Sequence, residues 1–179
     1  GKTTIAKEIA KKYKNNIYFN WDIISDQQKI INNSTFFEQI NRIDNSTPFV
    51  VLDEIHKYKK WENYLKGIYD EFHSDYFFLI SGSGRLDLYQ KSGDSLAGRY
   101  LMFHLFPFTI SELSGKKRSF KDFIKNPIDN FDINNKKITK DIWNKLYELS
   151  GFPEPFVKNK KTFWTKWSKN YSKQIIYED

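Results

Sequence analysis

The stretch Phe49-Val50-Val51-Leu52-Asp53-Glu54 decides how this chain is read. Four consecutive apolar residues follow Pro48 and give way to two carboxylates. A run that is apolar at every position, not at every second one, belongs to a strand covered on both faces. That is the place of a central strand in a parallel sheet. Such a strand would deliver Asp53 and Glu54 together at its C-terminal end. There the first can hold a divalent cation and the second can orient or deprotonate a water molecule.

On both sides of this run, strand and helix signals alternate. Residues 17–20 (IYFN) read as a short strand, and residues 22–31 and 34–43 as helices with Asp22 and Ser34 as N-caps. Residues 55–73 read as one long helix with Trp61, Leu65, Ile68 and Phe72 near one face. Residues 76–80 (YFFLI) are a second buried strand, stopped by Ser81-Gly82-Ser83-Gly84. A short helix over 86–89 and a further strand over 100–106, ended by Pro107, follow. This alternation predicts an α/β fold around a parallel sheet.

From Thr109 the character changes to short helices separated by Lys, Asn and Pro, with a loop over 126–137. Residues 139–149 read as a helix capped by Thr139, with Ile142, Leu146 and Leu149 as its stripe. Gly151-Phe152-Pro153-Glu154-Pro155 reads as a rigid break, and residues 162–177 as a basic, aromatic helix. In that helix Phe163, Trp167 and Tyr171 are four apart, among Lys158, Lys160, Lys161, Lys166, Lys169 and Lys173. One reading is a nucleic-acid face with stacking aromatics. The other is a stripe buried against its own domain while the lysines stay wet. The regular spacing favours the second.

Composition narrows the classes. The 179 residues carry 29 Lys and Arg against 22 Asp and Glu, a formal charge of +7, which permits contact with nucleic acid or acidic surfaces without requiring it. The absence of cysteine excludes a disulfide scaffold, a thiolate metal site and a cysteine nucleophile. His56, His73 and His104 lack metal-ligand spacing. No apolar run approaches the roughly 18 residues of a membrane span, and the start of the chain has no signal-peptide core, so a cytoplasmic protein is expected.

Gly1-Lys2-Thr3-Thr4 is the back half of a phosphate-binding loop, G-x-x-x-x-G-K-[ST]. Ile5, Ile9 and Tyr13 then recur at four-residue spacing, as in an amphipathic helix. Such a loop must open into a helix, whose first amides and dipole hold phosphate. A lysine-rich surface helix would look the same. Asp53 lies 51 positions after Lys2, a gap that fits two intervening helices and a strand and favours a nucleotide site. The Asp53-Glu54-Ile55-His56 string also matches a helicase box, but no arginine-rich later helicase motif accompanies it.

Val51-Leu52-Asp53-Glu54-Ile55-His56-Lys57, followed by Trp61, Leu65 and Tyr69-Asp70, resembles the Walker B region of the AAA family ATPases that carry a C-terminal domain of unknown function. Ile80-Ser81-Gly82-Ser83 resembles the family's sensor segment. Leu96-Ala97-Gly98-Arg99-Tyr100 resembles its L-x-G-R motif. Phe106-Pro107-Phe108 with Ser111-Glu112-Leu113, and Gly151-Phe152-Pro153-Glu154, resemble later family segments. His56 stands where glutamine is usual, and Ser150 where the first glycine of G-G-F-P is usual.

The resemblance implies a three-layer P-loop NTPase sheet of strand order 5-1-4-3-2. Its first strand would precede Gly1 and lie between residues 76–80 and 100–106, so the chain is expected to be a fragment. It implies an ATPase domain over 1–115, a linker over 116–138, and the start of a helical C-terminal domain over 139–179. The implied cofactors are ATP and Mg²⁺. Gly1, Lys2, Thr3 and Thr4 would bind the nucleotide, and Thr3 and Asp53 the metal. Glu54 would act on the lytic water, and Ser83 or Ser81 would contact the γ-phosphate or that water, although either serine equally suits a plain turn. Arg99 would reach a neighbouring subunit's nucleotide in a homo-oligomer, or else form an ordinary salt bridge. The implied function is a nucleotide-dependent switch or motor, with a nucleic acid or a protein as possible partner. The rival expectation is a non-catalytic nucleotide- or DNA-binding module with a basic C-terminal face.

Overall fold

The computed structural model describes residues 1–82, 96, 98–115 and 136–178. Its centre is the strand β2 (Phe49–Asp53), buried at every position. β2 lies between β1 (Asn16–Asn20) and β3 (Phe77–Ser81), and both pairings are parallel. The order β1–β2–β3 reproduces the 2-3-4 run of the expected sheet. With strand β2 flanked on both sides, its side chains leave alternately from the two faces.

Helix α1 (Lys2–Ala10) covers one face, where Ala6 and Ala10 pack on Phe49 and Val51. The small alanines bring the helix close, and Tyr13 stacks on Phe49 with ring centroids 4.2 Å apart. On the other face Val50 and Leu52 meet Ile30 of α2 (Ile24–Asn32) and Trp61, Leu65, Ile68 and Phe72 of α3 (Trp61–Phe72). Burial of each of those large side chains stabilises by about 1.5–3 kcal/mol relative to exposure. The result is a helix–sheet–helix sandwich, the α/β architecture expected.

Several local expectations fail, each for a tertiary reason. Asp22 does not cap α2, whose N-cap is Ile23; the Asp22 carboxylate is taken by Lys57 Nζ at 2.6 and 2.9 Å. Residues 34–43 form only a 3₁₀ turn, Phe36–Gln39, and Ser34 caps nothing. The turn drives Phe36 and Phe37 into the core, where Phe37 meets Phe72, Tyr76 and Phe78 edge-on at 5.1–5.4 Å. The chain after it is held as a loop by buried Asn15. Its amide donates to the Asp44 and Ser46 carbonyls at 3.0 and 2.9 Å and accepts from the Ile43 N–H at 2.6 Å. The helix expected over 55–73 is split into a 3₁₀ turn, Ile55–Lys57, and α3, because Glu54 and Tyr58 leave helical backbone geometry.

Residues 100–106 form no strand, contrary to expectation. Leu101, Phe103 and Phe106 are exposed, and none of the three strands pairs with this segment. A ladder needs a neighbour to accept its hydrogen bonds, and apolar character alone does not supply one. The short helix expected over 86–89 lies outside the described residues.

The Asp44 knot carries a pH prediction. Hydrogen bonds from Ser46 and the Lys14 ammonium hold the Asp44 carboxyl well below its ordinary range. A carboxyl depressed in the folded state stabilises at every pH above its unfolded value, about 3.9, and loses that contribution as pH falls further. Thermal midpoints measured from pH 6 down to pH 2 should therefore fall less steeply for Asp44→Asn than for wild type. Parallel curves would remove Asp44 from the acid response.

The chain divides into two compact units, Gly1–Phe103 and His104–Asp179. The second holds α4 (Ile110–Leu113), α5 (Lys136–Leu149), α6 (Pro153–Lys158) and α7 (Lys161–Glu178). Thr109 and Glu112 close a capping box on α4. Helix α5 begins at Lys136, three residues before the expected cap position 139. The expected break at 151–155 is instead the start of α6, with Pro153 in its first turn. Ser150 has φ 64°, and a Cβ on Gly151 would stand 2.6 Å from the Phe108 carbonyl oxygen. Only glycine lets the two backbones approach so closely, and the Phe108 N–H donates to the Gly151 carbonyl at 2.7 Å.

In α7, Trp167 and Tyr171 pack on Phe152 with centroids 5.0 and 4.9 Å apart, and Trp167 Nε1 donates to Glu154 at 3.1 Å. Lys166, Lys169 and Lys173 are exposed. At about 100° per residue, Lys169 and Lys173 lie on the side of the helix away from Trp167 and Tyr171. Trp167 and Tyr171 thus pack within their own unit.

Candidate functional site

The parallel register places Asn20, Asp53 and Ser81 in one row at the C-terminal edge of the sheet. Asp53 continues the alternation of Phe49 and Val51, so its side chain emerges on the α1 face. It is fully buried. Ser81 Oγ donates to Oδ1 at 2.5 Å, and the Tyr18 hydroxyl donates to Oδ2 at 2.6 Å. The Thr3 hydroxyl, from the first turn of α1, lies near the same carboxylate and helps to lower its pKa. Burial pushes the Asp53 carboxyl up, but the hydroxyls of Ser81, Tyr18 and Thr3 outweigh it and leave the group below its ordinary value. Asp53 is therefore an anion inside the protein, held by two hydroxyls, with the Thr3 hydroxyl beside it.

Glu54 follows with φ 57° and ψ 23°, the left-handed region that non-glycine residues seldom occupy. Its N–H donates to the Ser81 carbonyl at 2.9 Å, which ties the turn to β3. Its carboxylate lies 3.6 Å from Lys57 Nζ and 3.7 Å from His56 Nε2. Burial lowers the Lys57 ammonium, but the carboxylates of Asp22 and Glu54 more than offset this and raise its pKa. Lys57 is thus a fixed cation between the two acids.

Lys2 is the first residue of α1 and is exposed, as are Gly1 and Thr4. The Gly1 amino group reaches Thr4 Oγ1 at 3.5 Å. The first-turn amides of a helix have no intrahelical acceptor and attract anions. Thr3 is the member of the predicted nucleotide set whose hydroxyl influences the Asp53 carboxyl. Arg99 is elsewhere: its Nε donates to Asp70 at 2.7 Å. The Arg99 hydrogen bond holds the Asp70 carboxyl below its ordinary value. Asp70 lies nine positions beyond Trp61, about 14 Å along α3 and toward the opposite edge of the sheet. Ser81 is engaged with Asp53, and Ser83 lies outside the described residues.

Sequence reasoning missed Tyr18 and Lys57. Tyr18 pairs with Val51, not with Asp53, so its reach is diagonal across two strands and follows from register alone. Among the described residues, no group of three His, Asp or Glu side chains forms a metal cage, and no helix is long and apolar enough to cross a membrane.

A family model described as an AAA domain matches residues 1–114. No curated protein and no solved structure matches the chain.

Proposed function

This chain belongs to the AAA domain family, a nucleotide-binding family, and on that ground we propose that it binds ATP with Mg²⁺ where α1 meets β2, and hydrolyses it as a conformational switch or motor. The observation that carries the reading is the placement of the Thr3 hydroxyl beside buried, ionised Asp53, close enough to lower its pKa. It joins the predicted loop and the predicted acidic strand end in space.

The donor set suits the ion. A hydroxyl and a carboxylate are hard oxygen ligands, and Mg²⁺ is ordinarily held by one or two protein groups together with phosphate oxygens and waters. Bound Mg²⁺ would neutralise charge on the β- and γ-phosphates.

The chain's own groups then divide the work. Gly1, Thr4 and the first-turn amides of α1 cradle phosphate, and Lys2 places a full positive charge on it. Thr3 and Asp53 hold the ion. Glu54 accepts the proton of the attacking water, and Ser83 contacts the γ-phosphate or that water. Arg99 acts on the nucleotide of a neighbouring copy. Residues 1–115 form the ATPase domain of a cytoplasmic protein, and a helical extension follows whose α5 already begins at Lys136, inside the linker expected over 116–138.

Lys2→Ala in the full-length protein tests the site. Loss of a hydrogen bond to a charged group costs about 1.5–3 kcal/mol, which is roughly a 10- to 100-fold loss of ATP affinity. Titration of a fluorescent ATP analogue reads it. Unchanged affinity removes the loop from the function.

A further inference from the structure

We infer that Tyr18 is a positioning residue that orients Asp53 for the metal ion, an inference that rests on the reading of Asp53 as a magnesium-site carboxylate. Both oxygens of Asp53 are taken by hydroxyls from the two flanking strands. Tyr18 of β1 donates to Oδ2 at 2.6 Å and Ser81 of β3 donates to Oδ1 at 2.5 Å. Two anchors on opposite sides fix both the position and the plane of the carboxylate.

The two anchors reach it differently. Ser81 is the direct register partner of Asp53 and needs only a short side chain. Tyr18 pairs with Val51, and the direct partner of Asp53 on that side is Asn20. A diagonal of this kind spans about 7–8 Å between strands, which an aromatic side chain bridges and a serine does not. Asn20 supports the arrangement, its amide lying 3.4 Å from the Tyr18 hydroxyl. The ring is held from above by Lys7 Nζ, 4.6 Å from its centroid and one turn beyond Thr3 on α1. Tyr18 therefore touches the helix that carries Thr3 as well as the carboxylate that Thr3 meets.

The chemistry of the three hydroxyls separates their roles. A carboxylate has about four acceptor positions, of which Tyr18 and Ser81 occupy two, and the Thr3 hydroxyl lies beside the group. Thr3 belongs to the proposed ion-binding set. Tyr18 and Ser81 do not, and they remain as the support that keeps Asp53 aimed. Groups that hydrogen-bond a ligating carboxylate typically change metal affinity by about 10- to 100-fold when removed.

The test uses Tyr18→Phe in the full-length protein, which deletes the hydroxyl and keeps the ring beneath Lys7. Mn²⁺, a paramagnetic stand-in for Mg²⁺, is titrated by electron paramagnetic resonance with a non-hydrolysable ATP analogue present. Affinity for the analogue is measured separately in EDTA, and the thermal midpoint without ligands. The expected result is Mn²⁺ affinity lowered about 10- to 100-fold with analogue affinity in EDTA unchanged. A lowered thermal midpoint with wild-type Mn²⁺ affinity would make Tyr18 merely structural and overturn the inference.

Should Tyr18→Phe fail to fold, 3-fluorotyrosine placed at position 18 carries the test. Its ¹⁹F resonance should shift when Mg²⁺ joins the nucleotide-bound protein, and a resonance that stays put overturns the inference. Wild-type protein that binds no Mn²⁺ with the analogue sinks the nucleotide-site reading itself. Wild-type binding matched by Tyr18→Phe sinks the role of Tyr18 alone.

Discussion

Glu54→Gln protein is expected to bind ATP as the wild type does and to turn it over about 10²- to 10⁴-fold more slowly, the usual contribution of a positioned general base. The amide keeps the shape of the side chain but cannot accept the proton of water. The structure gives this residue a further mark. Glu54 sits at φ 57° in the turn out of β2. For a residue with a Cβ, that conformation costs about 1–2 kcal/mol relative to right-handed backbone. Glycine would relieve the strain but would place no carboxylate at the edge of the sheet. Strained backbone of this kind gathers where function requires a side chain in an awkward place.

The neighbours of Glu54 sharpen the test. Lys57 and His56 lie 3.6 and 3.7 Å from its carboxylate. The Glu54→Gln variant would lose the charge attraction to Lys57 while keeping the turn, so the thermal midpoint should move little. Steady-state phosphate release and equilibrium binding of a labelled nucleotide, measured on the same preparation, separate the outcomes. Loss of binding together with turnover would make Glu54 structural. Unchanged turnover would move the base elsewhere.

Arg99→Ala is expected to bind ATP nearly normally and hydrolyse it on the order of 10³-fold more slowly, if the guanidinium acts on the nucleotide of a neighbouring copy. Its place in the fold motivates this reading. Arg99 bonds Asp70, on the part of α3 that runs away from the edge bearing Asp53 and Glu54. A guanidinium is permanently charged and forks onto phosphate oxygens, so it suits a group inserted from outside. The ion pair with Asp70 is partly open to solvent, where water and salt screen it. Asp70→Asn is therefore the control, and it should leave turnover near wild type.

Mixing decides between neighbours. A mixture of Arg99→Ala and Glu54→Gln proteins can form interfaces that pair an intact Glu54 with an intact Arg99, so some activity should return. Wild-type turnover by Arg99→Ala alone would remove the residue from the reaction. A slow variant with no recovery on mixing, despite demonstrated co-assembly, would place Arg99 in its own subunit's site.

Features that depend on local pattern could be read from the residues alone. The unbroken run Phe49–Leu52 identified a strand covered on both faces, and β2 is buried throughout. The strands around residues 17–20 and 76–80 and the final basic helix likewise followed from runs and spacings. Side-chain character along a few residues reports which environment a segment can tolerate, and these segments tolerate little else.

Features that depend on a partner distant in sequence emerged only in the folded chain. The 34–43 helix gave way to a 3₁₀ turn because Phe36 and Phe37 enter the core and Asn15 holds the following loop. The strand expected over 100–106 has no neighbour to pair with among the described strands. Asp22 is engaged by Lys57, 35 positions away, and so caps nothing. The site divides in the same way. Thr3, Asp53 and Glu54 were singled out from the residues because loop and strand end are contiguous motifs. Tyr18 was not, because its bond to Asp53 exists only in a register that sets Tyr18 beside Val51. A one-residue slip would turn that hydroxyl to the other face of the sheet, and the burial of both faces of β2, summed over the whole fold, is what forbids it.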